Sequence, residues 1–532
     1  MPATGFIVLQ NKQIQTYLAK RIAATISENL QADFSIKSVD LIFFNRVVMK
    51  EVMLKDPHAD TLLYAPNLVA TLKMLNSSKK SIDLSRLKFE NSTFRLSIDS
   101  SGVHNLKFIM EALGKRPDST RNEKWSVGFN SIELENSRFI LDNKFNPREV
   151  NRHINLSDLQ MNNLDLLIKD FQVSDDTARF DVKHLSFREH SGFLVDHLEA
   201  MVYINKEFFL WRDVYITTTN SDVRAKRLDF RFNEWQDFGN NGFLTKIKLG
   251  FSFAPSIFYL PDLAYFSRRL EGTEKFLRMS GDLRGRINSL KGDDIVLEYD
   301  QNSHFSGSFD LIGLPDFQET YMYFDIQDLT TNMAEIESLQ KPGAPEETID
   351  LSETLSQLGN ISYQGKYAGF YNDFVTYGSL MTDLGNISSD LSIKPDSNEN
   401  VHFRGVLSTE GFDLGRMADL EQTAGKLSMK GNVEGVSHHG GGLSAKMDGS
   451  ISLLEFNGYP YRNIDLAADL TNRKFDGSFS IADPNLNMEF FGKIDFTDTL
   501  PVFDFTANVD KAMLHPLNIS SADQSYTLSC YL

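Results

Sequence analysis

The sequence predicts a mainly β protein: an elongated, curved antiparallel β-sheet forming a trough, with an N-terminal amphipathic helix and a few short helices. Three observations lead there. Apolar residues recur at every second position through most of the chain after Asp33. Stretches rich in Asn, Asp, Gly and Ser break this alternation every ~10–15 residues, the rhythm of an antiparallel meander. Phenylalanine accounts for 41 of 532 residues, an excess that calls for an extended apolar face.

The chain opens with MPATGFIVLQ, an apolar run too short for a membrane-spanning helix, which needs about 20 apolar residues, and without the basic start of a signal peptide. It reads as the tail of a longer apolar segment. From Gln13 the period becomes helical, with Ile14, Leu18, Ile22, Ile26 and Leu30 on one face and Lys20, Arg21, Glu28 and Asn29 on the others. Residues 1–32 are therefore expected to form an anchor-proximal helix.

Residues 33–255 are expected to form a first trough region. RLKFENSTFRLSID (86–99) and SIELENSRFILDN (131–143) share one spelling at an offset of 45 residues, and each reads as a hairpin turning at Glu-Asn-Ser. Further on, KRLDFRF sets Leu228, Phe230 and Phe232 against Arg227, Asp229 and Arg231, and KIKLGFSF sets Ile247, Leu249, Phe251 and Phe253 against Lys246, Lys248 and Ser252. Residues 256–345 are read as a β-region with a short helical insert, LPDLAYFSRRLEG, which starts at Pro261 and Asp262 and stops near Gly272. Residues 346–532 are read as a second trough region, truncated at its C-terminal end, with Phe475, Phe479 and Ile481 on one face. Short helices are also expected in VHNLKFIMEALG, TIDLSETLSQLG and GFDLGRMADLEQ, and breaks near 115–124 and 341–347. GSFDLIGLP from Gly307 and GKIDFTDTLP from Gly492 repeat a strand that leads into a turn.

Charge and motif content narrow the function. The balance of 54 basic against 72 acidic residues, a net charge of −18, lacks the footprint that binding a phosphate backbone requires, so nucleic acid is not an expected partner. The lone cysteine, Cys530, excludes a disulfide framework and multi-cysteine metal sites. No Gly-Lys pair is followed by Ser or Thr, and neither H-E-x-x-H nor G-x-S-x-G occurs. His184, His190 and His197 are spaced so that a two-residue period scatters them between faces. His438-His439 reads as a loop, and Asp293-Asp294 as an exposed turn before a strand. No catalytic residue, metal or cofactor is expected.

The apolar face is what remains. At a strand spacing of about 4.8 Å, some 30–40 strands would extend roughly 150–190 Å, and if they curl without closing, their inner face is a groove for acyl chains. Its lining by alternation is Ile132, Leu134, Phe139, Leu141, Leu228, Phe230, Phe232, Ile247, Leu249, Phe251, Phe253, Phe475, Phe479 and Ile481. A sealed sandwich core would give the same alternation.

Several stretches resemble a known family. QIQTYLAKRIAATISENL leading into DFSIKSVDLIFFNRVVMKEVMLKDPHADTLLYAPNLVATL is similar to the start of AsmA-like proteins of the TamB group, particularly the Bacteroidetes forms. GNISYQGKYAGFYNDFVTYGSLMTDLGNISSDLSI, TEGFDLGRM and FNGYPYRNIDLAADLTNRKFDGSFSIADPNLNMEFFGKIDF are similar to later parts, so the resemblance covers about residues 10–515. It implies an inner-membrane N-terminal anchor, a hydrophobic β-groove in the periplasm and phospholipid transport toward the outer membrane. It also implies a possible outer-membrane β-barrel partner, since the group includes translocation and assembly factors for such barrels. Two rivals remain at this stage: an assembly factor acting through β-augmentation, and a sealed structural rod.

Overall fold

The computed structural model describes residues 17, 20, 21, 23, 24, 27, 32–42, 45–76, 81–108, 126–144, 154–155, 158–174, 177–238, 242–266, 270–341, 344–349, 351, 353–439, 441–471, 473–497, 500–520 and 525–531. Strands dominate, and the chain divides into two compact units, Met1–Ser280 and Gly281–Leu532. The predicted helical face Ile14, Leu18, Ile22, Ile26 and Leu30 lies outside the described residues, as does the expected break at 115–124. Those residues of the first helix that are described are helical, and Ala23, 5% exposed, packs with Ile36, Val52, Ala65 and Leu68. Ser27 closes the helix onto the first strand, its hydroxyl donating to the Phe34 carbonyl and accepting from the Phe34 N–H.

In the first unit, Arg46–Lys55, Thr61–Asn76 and Ser81–Glu90 run antiparallel as neighbours. The next pairing departs from the antiparallel reading. Ser81–Glu90 and Thr93–Ile98 both pair parallel with Ser131–Asn143, Leu87 beside Ile132, Phe89 beside Leu134, Phe94 beside Phe139 and Leu96 beside Leu141. The 45-residue repeat is therefore a pair of like strands in register, and the sheet is mixed. Neither copy is a hairpin.

The reason lies in the Glu-Asn-Ser spelling. Asn91 (φ 54°) and Asn136 (φ 44°) adopt the left-handed conformation, which asparagine tolerates better than most residues. One such residue bends an extended strand and inverts the side-chain parity beyond it, without turning the chain back. The polar groups it displaces are paired across the two strands. The Asn91 N–H donates to the Glu135 carbonyl and the Arg138 N–H to the Ser92 carbonyl, while Asn136 Nδ2 donates to Asn91 Oδ1 (2.7 Å) and the Ser92 N–H to Ser137 Oγ (3.2 Å). Ser92 and Ser137 are 1% and 2% exposed, so these bonds are largely shielded from water. Lys88 bridges Glu135 and Glu90, and both carboxylates hold its ammonium above the usual lysine range.

This bend is one line across the sheet. Glu51 (φ 48°) is aligned with Pro66, Pro66 with Asn91, and the line continues through Asn136 to Asn163 (φ 50°). On either side of it the apolar positions change parity together, so Met49 and Val52 enter one cluster, and Phe89 meets Phe94 edge to face at 5.3 Å.

From Asp158–Ser174 through Thr177–Glu189, His197–Ile204, Phe208–Thr217, Asp222–Arg231 and Lys248–Tyr259 the first unit is an antiparallel meander. Its core is Val182, Val195, Leu198, Ala200, Val202, Val214 and Ala225. The second unit runs antiparallel from Ser289–Tyr299 to Ser525–Tyr531. Tyr321–Asn332 pairs directly with Asn360–Gly369, and the residues between them, around the expected 341–347 break, make a separate ribbon of Gln340–Lys341 with Ala344–Thr348.

The short helices expected at 260–272, 348–359 and 411–422 are Leu260–Ala264, Glu353–Ser356 and Leu414–Met417. Of VHNLKFIMEALG only residues 103–108 are described, with Lys107 and Phe108 helical. GSFDLIGLP occupies the end of Ser303–Ile312 and the turn after it, and GKIDFTDTLP begins in the end of Leu486–Asp495, its Asp498 and Thr499 lying outside the described residues. A Cβ at Gly307 would lie 2.2 Å from the Asp325 carbonyl oxygen, and one at Gly492 2.3 Å from that of Asp504.

Candidate functional site

In the first unit the apolar residues of three adjacent strands form continuous rows. Trp211 lies opposite Leu228, and Leu228 opposite Phe251; Phe209 lies opposite Phe230, and Phe230 opposite Leu249. Phe230 stands 6.2 Å from Phe209 and 5.0 Å from Phe251, Phe251 6.0 Å from Phe253, and Phe253 5.9 Å from Phe258. Two irregularities keep the rows on one side. Asp213 (φ 50°) inverts parity within Phe208–Thr217, and one extra residue between Ala225 and Leu228 does so in the next strand.

Leu228, Phe230, Phe251 and Phe253 are half-buried. Phe232 (5%), Ile247 (0%) and Leu249 (9%) are not. Phe232 packs edge to face on Phe238 at 4.9 Å, and Phe238 lies 6.3 Å from Phe243 in the helical turn Gly242–Thr245, so these two rings close this end of the row. Ile132, Leu134, Phe139 and Leu141 form a further set of rows, opposite Ile168, Leu166, Met161 and Leu159. Leu134 is buried at 8%, and the other three are half-buried.

In the second unit, Phe479 stacks on Phe490 with ring centroids 4.8 Å apart and planes 8° apart. Phe475 stands 5.7 Å and Phe505 5.0 Å from the same Phe490 ring. Gly477 and Gly492 pair across neighbouring strands next to these rings. A Cβ at Gly477 would come 2.3 Å from the Ala467 carbonyl oxygen, a distance atoms of that kind do not adopt, so the strands approach this closely only over glycine. Ile481, 9% exposed, belongs to a packed cluster with Met429, Ile451 and Ile464.

A second aromatic group joins Phe305, Phe309 and Phe324 to Tyr367 and Phe374, with successive centroids 4.7–6.2 Å apart. Burial there pushes the Tyr367 phenol up to about 12, because the phenolate is poorly solvated among rings.

The aromatic face reaches solvent at one rim. Leu443, Leu470, Phe475 and Phe496 line an apolar cavity of about 680 Å³ with Arg473 and Lys474 at its edge, and Phe503, beside Phe496 at 6.2 Å, is 46% exposed. A hollow of about 920 Å³ opens on the opposite, polar face of the same strands, between Lys430, Asp448, Asp465, Ser480, Glu489 and the 71%-exposed Phe491. Gly431, Gly449, Phe479 and Phe490 also line it.

The polar candidates sit as follows. Asp293 pairs with Arg284 at 2.9 Å, and Asp294 (φ 51°) is a bulge inside Ser289–Tyr299, so both lie within a strand and not in a turn before one. His438 closes the hairpin between Ala424–Ser437 and Leu443–Phe456, and His439 contacts Glu399 at 3.3 Å. His190 bonds the buried Glu189 at 2.7 Å, whereas His184 and His197 are brought together. Among the described residues no three or more of His, Cys, Asp and Glu are grouped as a metal site, and no helix is long and apolar enough to cross a membrane.

The groove set left out Phe209, Trp211, Phe324, Tyr367, Phe490 and Phe505, although alternation places Phe490 and Phe505 on the apolar face. For Phe209 and Trp211 the cause is the Phe208-Phe209 doublet and the Asp213 bulge, which hide the parity; for Phe490 and Phe505 the alternating signal is plain in the sequence. No family model, curated protein or solved structure matches this chain.

Proposed function

We propose that the chain is a non-enzymatic bridge-like lipid-transfer protein, carrying phospholipid acyl chains along its aromatic face between the inner and outer membranes. The observation that carries this reading is the aromatic rows, half-buried at Phe209, Phe230 and Phe251 in one unit and at Phe475, Phe479 and Phe505 around the buried Phe490 in the other. Beyond residue 230 the described helices are only four to six residues long, too short to cover such rows.

The energetics favour an apolar ligand. A two-tailed lipid exposed to water presents about 30 methylenes at about 0.8 kcal/mol each, of order 20 kcal/mol, and an apolar face removes much of that cost without any reaction. The resemblance to AsmA-like proteins of the TamB group supplies the direction of the proposal: an N-terminal anchor in the inner membrane, a periplasmic location, outer-membrane biogenesis as the process, and a β-barrel of the outer membrane as possible partner.

Transfer of a fluorescent phospholipid between donor and acceptor vesicles, with purified protein and no client polypeptide, tests the reading. Transfer that Phe230→Glu and Phe479→Glu each reduce by tenfold or more is expected. Absence of transfer by the folded wild-type chain would discard the conduit in favour of β-augmentation of client strands or of a sealed structural rod.

A further inference from the structure

On the solvent-facing side of the first unit's sheet, His184 Nδ1 and His197 Nδ1 stand 2.9 Å apart, with ring centroids at 5.1 Å. Two features of the backbone put them there. A register shift between Val182 and His184 turns His184 and Ser186 outward while Leu185 and Phe187 stay against the core. In the next long strand, Leu198 and Ala200 face the core, leaving His197 and Glu199 outward.

The far side of each ring is supplied with an oxygen. Glu199 Oε2 lies 3.9 Å from His197 Nε2, and Ser186 Oγ 3.2 Å from His184 Nε2. A carboxylate near Nε2 favours the tautomer with the hydrogen on Nε2, and the Ser186 hydroxyl can accept from such a hydrogen, as in the outer shell of metal-bound histidines. With the hydrogen on one Nδ1, that nitrogen donates to the other over 2.9 Å; with both hydrogens on Nε2, the two Nδ1 lone pairs face each other at that distance and a cation can replace the shared hydrogen.

We propose that His184 and His197 are a bidentate site for a late divalent transition-metal ion, copper(II) above all. With metal–nitrogen bonds of about 2.0–2.1 Å, nitrogens 2.9 Å apart subtend about 90° at the metal. That is the cis angle of tetragonal copper(II) or nickel(II), and it is too narrow for tetrahedral zinc. The described residues offer no third histidine, cysteine or carboxylate to complete a group, so water takes the remaining positions. Access is open, since the His197 side chain is 32% exposed. The Tyr215 ring stands 5.8 Å from His197, with the Arg224 guanidinium over that ring at 5.1 Å from its centroid, and Asp222 pairs with Arg224.

Titration of the full chain with copper(II) alone, followed by electron paramagnetic resonance and calorimetry, tests the site. Expected is one equivalent whose spectrum shows coupling to two equivalent nitrogens, lost in the His184→Asn/His197→Asn double variant, which also serves as background for other histidines. Glu199→Gln, which keeps the fold and both ligands, is expected to weaken copper about tenfold, the low end of effects seen when a ligand's supporting group is removed. Identical binding and spectra in wild type and double variant would overturn the proposal, and so would zinc binding as tightly as copper.

Discussion

Phe490 and Phe491 are chain neighbours on opposite faces of one strand, and they separate packing from display. Phe490 is 5% exposed among Phe475, Phe479 and Phe505; Phe491 is 71% exposed beside the polar hollow. Phe490→Ala should cost about 3–5 kcal/mol, the range for a buried phenylalanine, whereas Phe491→Ser should stay within about 0.5 kcal/mol; urea unfolding of the two variants measures both. Tyr367 gives a pH signature. Its phenol is held neutral up to about 12 against an ordinary value of 10.0, so its contribution is complete below pH 10 and falls away as the pH rises from 10 to 12, where only the unfolded chain ionises freely. Melting temperatures across that window should drop less steeply in Tyr367→Phe than in wild type. A parallel decline in both would show that the ring is solvated.

The element scale shows where a sequence speaks and where it falls silent. Strand existence and face were legible because alternation is local: KRLDFRF and KFDGSFSI can be read without knowing their neighbours. Which strand pairs with which was not, since it depends on partners far along the chain. Glu-Asn-Ser is the clearest case, because the same three residues suit a tight turn or a left-handed bend, and only the in-register neighbour at 45 residues selects the bend. Burial was likewise hidden. Ile247 and Phe230 look alike by alternation, yet Ile247 is fully buried, its N–H donating to the Gly242 carbonyl, and Phe230 is half-buried.

Two substitutions examine these elements. Asn136→Ala removes the Asn91 hydrogen bond and puts on a left-handed backbone a residue that tolerates it less well than asparagine, expected at about 1–3 kcal/mol; Asn136→Gly also loses the bond but keeps the backbone unstrained and should cost less. The order of the two denaturation midpoints decides, and equal midpoints would mean the bend carries no strain. Gly477→Ala drives a Cβ to 2.3 Å from the Ala467 carbonyl and should destabilise more than either, read by the same denaturation.

At the scale of the whole chain, the net charge is −18, and in the second unit Lys474, Asp476, Lys493 and Asp495 alternate with aromatic or apolar neighbours on the other side of their strands. Ion pairs such as Lys474–Asp495 and Lys493–Asp476 tie neighbouring strands on that polar side. Exposed pairs of this kind contribute little each, and salt screens them, whereas apolar binding is insensitive or strengthened. Lipid capture is therefore expected to persist at high salt, where binding to an anionic partner surface through Lys or Arg would fade.

The most direct test is native mass spectrometry with lipid extraction on the chain purified in gentle detergent from a host with two membranes. The conduit reading expects phospholipid bound in several copies by wild type and lost in a folded Phe230→Glu or Phe479→Glu variant. A folded, monodisperse wild type carrying no lipid would contradict it, and would mean that the aromatic rows are closed to ligand.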